Sequence, residues 1–250
     1  MQTPERRVGA WLMVPDPIVV EVTGRAGFSW VGLDLQHGGW DLRAAFTGIQ
    51  LLDALDVPVL VRISEDDLPL MPRLLDHGAA GIVVAMVSSA ETARAAVRAA
   101  RYQPLGTRSY GGQRFGMRHE PADLTSVQPM VFAMIEDRRG LDQVEEIAAV
   151  DGLAGLHVGP FDLALGLGLG RDQTSPAFAV ALARIRDAAR RARIISSLHA
   201  VAADRARACF DDGWDEIVIR SDVELLRQAL RIERDTAFGG VAPQAASPAP

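Results

Sequence analysis

Eight short apolar segments alternate with helix-like segments along almost the whole chain, and this alternation restricts the fold more than any other feature. The strand-like segments span residues 9–14, 30–35, 57–63, 81–85, 130–135, 155–158, 194–198 and 216–219. Most are continuous apolar runs, which is typical of parallel strands that are covered on both faces. Eight strand–helix units of this length predict a TIM (β/α)8 barrel.

The helix-like segments span residues 17–24, 42–55, 68–77, 89–100, 141–150, 176–192, 202–212 and 223–238. The clearest is 89–100, where Ser88 and Glu91 have the spacing of a capping box and apolar residues share one face. An open doubly wound sheet is the main alternative. It is disfavoured because Val14-Pro15-Asp16-Pro17 follows the first strand, where that fold carries a glycine-rich turn.

A length of 250 residues suits one large barrel, and we expect a single domain over residues 1–238. The remaining segment, 239–250, is rich in Pro and Ala and is predicted to be a disordered tail. Segment 101–128 is long, polar and rich in Gly and Arg. Because it follows the fourth strand, we expect it on the face of the barrel that binds substrates.

Charge and cysteine content exclude several classes of protein. A net charge of −6 and a pI near 5.4 argue against a nucleic-acid partner. The single cysteine, Cys209, excludes an internal disulfide and fits a reducing compartment. With no signal-peptide pattern and no apolar run of roughly 18 residues, we expect a cytoplasmic protein that does not enter membranes.

Lysine is absent from the chain, since all 26 basic residues are arginine. A lysine Schiff base is therefore impossible, and carbonyl chemistry would need another way to stabilise negative charge. Candidate residues lie at the ends of four different strands: His37, Glu136 and Asp162 just after a strand, and Arg62 near the end of one. The carboxyl ends of barrel strands build active sites. The two carboxylates, without a Cys or His cluster, favour an oxygen-ligated Mg²⁺ or Mn²⁺.

Each candidate also has a structural interpretation. Arg62 could neutralise a developing enolate or form a salt bridge at the barrel rim. The turn at 159–163 could bind a carboxylate through backbone N–H groups, or it could be a tight turn in which Asp162 caps a helix. His37 could move a proton near neutral pH. His157, in the middle of a strand, is interpreted as a buried core residue. Finding four polar residues at corresponding strand ends favours function.

Several motifs resemble the HpcH/HpaI family of metal-dependent (class II) pyruvate aldolases, within the phosphoenolpyruvate/pyruvate barrel superfamily. The similarity runs from about residue 9 to about residue 230. The motifs are GAWL (9–12), GFSW (27–30), DLQHG (34–38), VLVR (59–62), LLDHGA (74–79), ARYQPLGTR (100–108), MIE (134–136) and GPFDL (159–163).

The resemblance implies roles for individual residues. Glu136 and Asp162 would ligate Mg²⁺, Mn²⁺ or Co²⁺, and pyridoxal phosphate would not be needed. Arg62 would neutralise an enolate formed at that cation, and a pair of His37 and Asp76 would relay a proton at the aldehyde-derived oxygen. The substrate-binding residues would be Trp11, Gln36, Gly159, Pro160, Phe161 and His199.

The chain departs from the family pattern at three positions. Gln36 stands where many relatives have Glu, Met134 where many have Gln, and His199 where an apolar residue lines the aldehyde pocket. The resemblance also implies a homo-oligomer, a trimer or a hexamer of paired trimers, with the helix at 223–238 docked on a neighbouring copy.

We therefore expect an aldolase that reversibly cleaves a 4-hydroxy-2-oxo acid to pyruvate, or a close 2-oxo acid such as hydroxypyruvate, and an aldehyde. One alternative is a citramalyl- or malyl-CoA-type lyase of the same superfamily. Another is a non-catalytic oligomeric barrel that acts as a scaffold or metabolite sensor. Retention of all four polar residues argues against the non-catalytic barrel.

Overall fold

The computed structural model describes residues 6–111, 114, 116 and 124–239, and its strands close into one parallel barrel. The strands are β1 (Arg7–Leu12), β2 (Trp30–Asp34), β3 (Val59–Ile63), β4 (Gly81–Val84), β5 (Met130–Ile135), β6 (Gly155–Val158), β7 (Ile195–Val201) and β8 (Glu216–Ile219). Each strand pairs with the next in the sequence, and β1 closes the barrel against β8. The predicted (β/α)8 barrel is confirmed.

Helices cover the outside of the barrel. They are α1 (Pro17–Gly24), α2 (Leu42–Ala54), α3 (Met71–Asp76), α4 (Ala90–Ala100), α5 (Arg138–Asp142), α6 (Val144–Ala148), α7 (Pro160–Gly166), α8 (Pro176–Ala192), α9 (Ala206–Asp211) and α10 (Asp222–Ala237). The capping box predicted for Ser88 is wrong. Ser89 caps α4 instead, because its backbone is extended and its hydroxyl accepts a hydrogen bond from the Thr92 N–H at 3.1 Å.

Three predicted helices differ in extent from those observed. The segment at 141–150 forms two helices, α5 and α6, because the backbone of Gln143 leaves the helical region and Asp137 caps an earlier start. The segment at 68–77 is entered through a 3₁₀ turn, Glu65–Leu70, which contains a proline without an N–H to donate. The segment at 202–212 likewise begins as a 3₁₀ turn, Ala203–Arg205.

Two tryptophans fill much of the barrel interior. Trp11 and Trp30 are almost completely buried, and they pack with Leu60, Phe132 and apolar side chains of other strands. Glycine on the paired strand makes room for each ring. A Cβ at Gly32 would lie 2.3 Å from the Trp11 ring, and one at Gly9 would lie 2.6 Å from the Trp30 ring. The interior is therefore a packed core, with open space only at its carboxyl-terminal end.

Helix α10 is attached to the barrel mainly at its first turn. The Asp222 carboxylate accepts hydrogen bonds from the N–H groups of Met13 at 2.9 Å and Val14 at 3.0 Å, which ties α10 to the loop after β1. The rest of the helix has no buried residue and exposes Leu226 and Leu230 among other apolar side chains.

None of the helices among the described residues is long and apolar enough to cross a membrane. Residues 240–250, which hold nearly all of the predicted tail, lie outside the described part of the chain. So do residues 112, 113, 115 and 117–123 of the predicted loop at 101–128. The domain division at 238 stays a prediction.

Candidate active site

A pocket of about 220 Å³ opens at the carboxyl ends of the strands, and most of the predicted site residues line it. Those residues are Trp11, His37, Arg62, Gly159, Pro160, Phe161, Asp162 and His199. The pocket is also lined by Met13, Asp34, Met134, Ser221 and Glu224, to which no role was assigned from the sequence. Glu136 packs against Gly159, which lines the pocket. Gln36 and Asp76 are not among the residues that line it.

A buried carboxylate fixes the guanidinium of Arg62. Asp34 is fully buried and Arg62 is 6% exposed. Arg62 donates to Asp34 in a bidentate fork, from Nε at 2.9 Å and from Nη2 at 2.5 Å. The register of the barrel brings them together, because Asp34 on β2 pairs directly with Arg62 on β3. The third nitrogen, Nη1, is not part of this fork. It lies 3.9 Å from the sulfur of Met134, which also lines the pocket.

Asp34 accepts further hydrogen bonds that hold it in place. They come from the Trp11 indole at 3.1 Å and from the backbone N–H groups of Gln36 and His37. Burial acts to raise the pKa of Asp34, but the hydrogen bond and charge of Arg62, with the smaller effects of these donors, outweigh it and hold the pKa below its usual value. Asp34 is therefore an ionised anchor for the pocket floor.

Glu136 is a nearly buried carboxylate at the end of β5, only 2% exposed. Its Oε1 accepts a hydrogen bond of 2.7 Å from the N–H of Met86. Met86 has a φ of 55°, a left-handed conformation that is costly for a residue with a side chain. Burial raises the pKa of Glu136 to about 7, and the Met86 N–H and the Arg62 charge offset this only in part.

Asp162 lies in the first turn of α7 and is exposed to the pocket. Its negative charge acts, together with the larger effect of burial, to raise the pKa of Glu136. Gly159 lines the pocket, and its lack of a side chain leaves room for the Glu136 carboxylate directly beside it. A Cβ at Gly159 would lie 2.3 Å from Glu136 Oε2, so any side chain there would displace the carboxylate.

The chemistry of this pair of carboxylates fits a hard divalent cation. Among the described residues no group of three or more His, Cys, Asp and Glu side chains could hold a metal. A two-carboxylate site is nonetheless typical of Mg²⁺ or Mn²⁺, which keep water and substrate oxygens as their other ligands. A cation would also compensate the negative charge of Glu136, which is costly to bury alone.

The predicted pair of His37 and Asp76 is not joined by a hydrogen bond among the described residues. His37 is exposed at the pocket, whereas Asp76 forms an ion pair of 2.6 Å with the buried Arg108. Gln36 is half-buried and contributes its backbone N–H to Asp34, while its side-chain oxygen is buried without a hydrogen-bond partner among the described residues. Catalytic roles for these side chains stay predictions.

Two histidines meet at the floor of the pocket. His157 is 1% exposed, which confirms its placement in the core, and its Nε2 lies 3.4 Å from Nδ1 of His199. Both rings contact Trp11, with His157 stacked at a centroid distance of 5.8 Å and His199 edge-on at 4.5 Å. Burial, with the charge of Arg62, lowers the pKa of His199 to about 3 and that of His157 well below its usual value.

Comparisons with known proteins show the family to which the chain belongs. The model of the HpcH/HpaI aldolase/citrate lyase family matches residues 7–229. The chain belongs to this family. The hydroxypyruvate/pyruvate aldolase of Pseudomonas aeruginosa is 32% identical over 252 residues, which cover 97% of this chain and 92% of that protein.

Two further family members show the same degree of similarity. The 4-hydroxy-2-oxovalerate aldolase of Rhodococcus jostii is 33% identical over 228 residues, 88% of this chain and 87% of that protein. A crystal structure of an HpcH/HpaI aldolase/citrate lyase family protein from Burkholderia cenocepacia superposes with a TM-score of 0.87 at 29% identity, covering 95% of this chain and 96% of that one.

Proposed function

We propose that this protein is a divalent-metal-dependent aldolase that reversibly cleaves a 4-hydroxy-2-oxo acid into an aldehyde and pyruvate or a close 2-oxo acid. The observation that carries the proposal is that Asp162, Gly159 and the fixed guanidinium of Arg62 line one pocket, with the Glu136 carboxylate packed against Gly159. The lack of lysine supports it, because carbonyl chemistry in this chain must work without a lysine Schiff base. Relatives named as aldolases support the reaction class.

Glu136 and Asp162 would hold the cation, with water and substrate oxygens as the remaining ligands. When bound, such a cation supplies Lewis-acid stabilisation of negative charge on an oxygen of the 2-oxo acid. Gly159 contributes by lacking a side chain, which leaves the Glu136 carboxylate beside the pocket. The N–H of Met86 keeps the other carboxylate oxygen in position.

Arg62 holds a fixed positive charge where the enolate oxygen develops negative charge. Asp34 occupies Nε and Nη2 of the guanidinium, so Nη1 is the group left to donate to the substrate. Because the fork is formed before substrate arrives, it needs little reorganisation during the reaction. The substrate carboxylate would accept hydrogen bonds from backbone N–H groups at Phe161 and Asp162, in the first turn of α7.

His37 is the group proposed to give a proton to, or take one from, the aldehyde-derived oxygen. It is exposed at the pocket, and its backbone N–H is bound to the Asp34 anchor. Imidazole side chains commonly act as general acids and bases in enzymes. Orientation of His37 by Asp76 remains a prediction of the family resemblance, because Asp76 is paired with Arg108 in this chain.

We further propose a homo-oligomer, a trimer or hexamer, in a reducing cytoplasmic compartment. Helix α10 supports the assembly, since it exposes apolar side chains along its length and is attached to the barrel mainly at its first turn. The single cysteine supports the compartment.

The reaction is tested by mixing purified, metal-stripped protein with 4-hydroxy-2-oxo acids and measuring release of the 2-oxo acid. We expect activity only after Mn²⁺, Mg²⁺ or Co²⁺ is added, and its loss in the variant Asp162→Ala. Asp211→Ala, at an exposed ion pair with Arg6, is the matched control and should retain activity. Full activity in EDTA contradicts the proposal. Turnover of a hydroxyacyl-CoA thioester alone supports the CoA-lyase alternative.

A further inference from the structure

The pair of His157 and His199 at the pocket floor is not used by the chemistry described above. We propose that His199, held in place by His157, determines specificity by forming a hydrogen bond to a hydroxyl group of the substrate. This inference rests on the proposed aldolase function and names a substrate class for it: 2-oxo acids or aldehydes that carry a hydroxyl beside the reacting carbonyl.

Strand geometry brings His199 to the pocket. The pairing of β7 with β8 is regular at Leu198 and resumes at Val201, with a register shift between them. Such irregularities change the direction in which a side chain points and occur next to active sites. His199 lies within this irregularity, lines the pocket and touches the edge of Trp11.

Hydrogen-bond accounting shows which group is available to a ligand. His199 uses Nδ1 for the contact with His157, so Nε2 is its remaining polar atom. When two neutral imidazoles share a hydrogen bond, one ring donates it and the other accepts it. Nε2 is then either an uncharged donor or an uncharged acceptor. The low pKa of His199 supports the neutral form, since burial and the Arg62 charge oppose protonation.

A hydroxyl is the substrate group that suits both tautomers, because it can donate or accept a hydrogen bond. A carboxylate only accepts, and it has better partners in Arg62 and the proposed cation. The pocket lining combines apolar Trp11, Met13 and Met134 with polar groups that include His37, Ser221 and Glu224. A substrate with a methyl group in place of the hydroxyl would leave Nε2 of His199 without this hydrogen-bond partner, which disfavours that substrate.

His157 is a positioning residue in this proposal. It is buried, stacks on Trp11 with an interplanar angle of 20°, and holds His199 by a single contact of 3.4 Å. It lies next to Met134 on β5 and Ser197 on β7, in register with both. Its stack on Trp11 holds the His157 ring in place, and its contact with Nδ1 favours one orientation of the His199 ring.

The test compares matched substrates in wild type, His199→Leu and His199→Gln. One arm uses hydroxypyruvate against pyruvate with a single aldehyde, and the other uses glycolaldehyde against acetaldehyde with a single 2-oxo acid. We expect wild type to prefer the hydroxylated member in one arm, and the ratio of kcat/KM values to fall about tenfold in His199→Leu, as expected for one lost hydrogen bond. His199→Gln, which retains an amide, should keep part of the preference.

The arm that responds identifies whether the hydroxyl belongs to the 2-oxo acid or to the aldehyde. His77→Leu is the matched control, because His77 stacks on Phe46 of α2 outside the barrel, and its ratios should equal those of wild type. Each ratio is measured within one variant, so partial unfolding does not change it. In protein with ¹⁵N-labelled histidine, His157 and His199 should stay neutral from pH 5 to 8, and the His157→Gln variant should shift the His199 signal.

The inference is overturned if His199→Leu lowers kcat/KM equally for the hydroxylated and the non-hydroxylated substrate in both arms. It is also overturned if His199 titrates near pH 6.5. Failure of the proposed function looks different, because wild type would then turn over none of the four substrate combinations while the ¹⁵N signals still report on the pair.

Discussion

Replacing Asp34 by asparagine tests the claim that a buried ion pair fixes the catalytic arginine. Asp34 accepts two hydrogen bonds from Arg62, one from the Trp11 indole, and two from backbone N–H groups. Asparagine keeps the size of the side chain but replaces one acceptor oxygen with a donor amide. Arg62 would then stay buried without a negative partner.

The structure sets the magnitude of the expected loss. Both side chains are nearly inaccessible to water, at 0% exposure for Asp34 and 6% for Arg62. Removing one partner of such a pair costs about 3–5 kcal/mol of unfolding free energy. A guanidinium released from its fork also loses its orientation, and misplacement of such a group by about 1 Å lowers kcat roughly 100-fold.

Urea denaturation measures the stability change, and turnover of a 4-hydroxy-2-oxo acid with added Mn²⁺ measures the activity change. Asp211→Asn is the control for the same chemical change, since Asp211 and Arg6 form an exposed pair that should contribute less than about 1 kcal/mol. Combining Asp34→Asn with Arg62→Met removes both charges, so we expect stability to recover in part while activity stays low.

Two results would refute this reasoning. The first is an Asp34→Asn protein whose unfolding free energy is within about 1 kcal/mol of wild type, since burying an unpaired guanidinium should destabilise the fold by more than that. The second is a double variant that recovers activity together with stability, which would show that the charge of Arg62 is not needed.

Three further predictions follow from the same geometry. Gly159→Ala should lower kcat about 100-fold, because its methyl group would collide with Glu136 Oε2; unchanged kinetics contradict this contact. Glu136→Gln should weaken Mn²⁺ binding in calorimetry at least about 100-fold, and equal affinity rules the residue out as a ligand. Burial raises the pKa of Glu216, paired with Arg7, to about 7, so the folded protein holds this proton more tightly than the unfolded chain. This group should therefore make the unfolding free energy fall by up to about 3 kcal/mol as pH rises from about 4.5 to 7. The Glu216→Gln variant should lack that part of the pH dependence. Parallel pH profiles of wild type and variant would show that Glu216 does not contribute it.

The sequence was sufficient to predict the barrel and the strand ends that form its pocket. Strand patterns are local, and the rule that barrel sites lie at the carboxyl ends of strands then brings Arg62 and Asp162 to one face. The same patterns did not show that helix 141–150 starts earlier, at the Asp137 cap, and divides at Gln143, where only the backbone conformation marks the break.

The residues that support the site from behind were harder to find. Asp34 ends an apolar strand and looks like an ordinary strand residue until the register of β2 and β3 sets it beside Arg62. Met86 has no sequence signal, since its role depends on a backbone conformation. The contact between His157 and His199 joins two strands 42 residues apart in sequence. Such pairings arise from tertiary structure, so local patterns do not contain them.

Deuterium exchange into the methyl group of pyruvate, without any aldehyde, tests the central claim most directly. The claim is that Glu136 and Asp162 hold a divalent cation that lets pyruvate lose a methyl proton beside Arg62. We predict exchange in wild-type protein with Mn²⁺, none after EDTA treatment, recovery when Mn²⁺ is returned, and none in Glu136→Gln or Asp162→Asn. Exchange that continues in EDTA, or that survives loss of both carboxylates, would contradict the account.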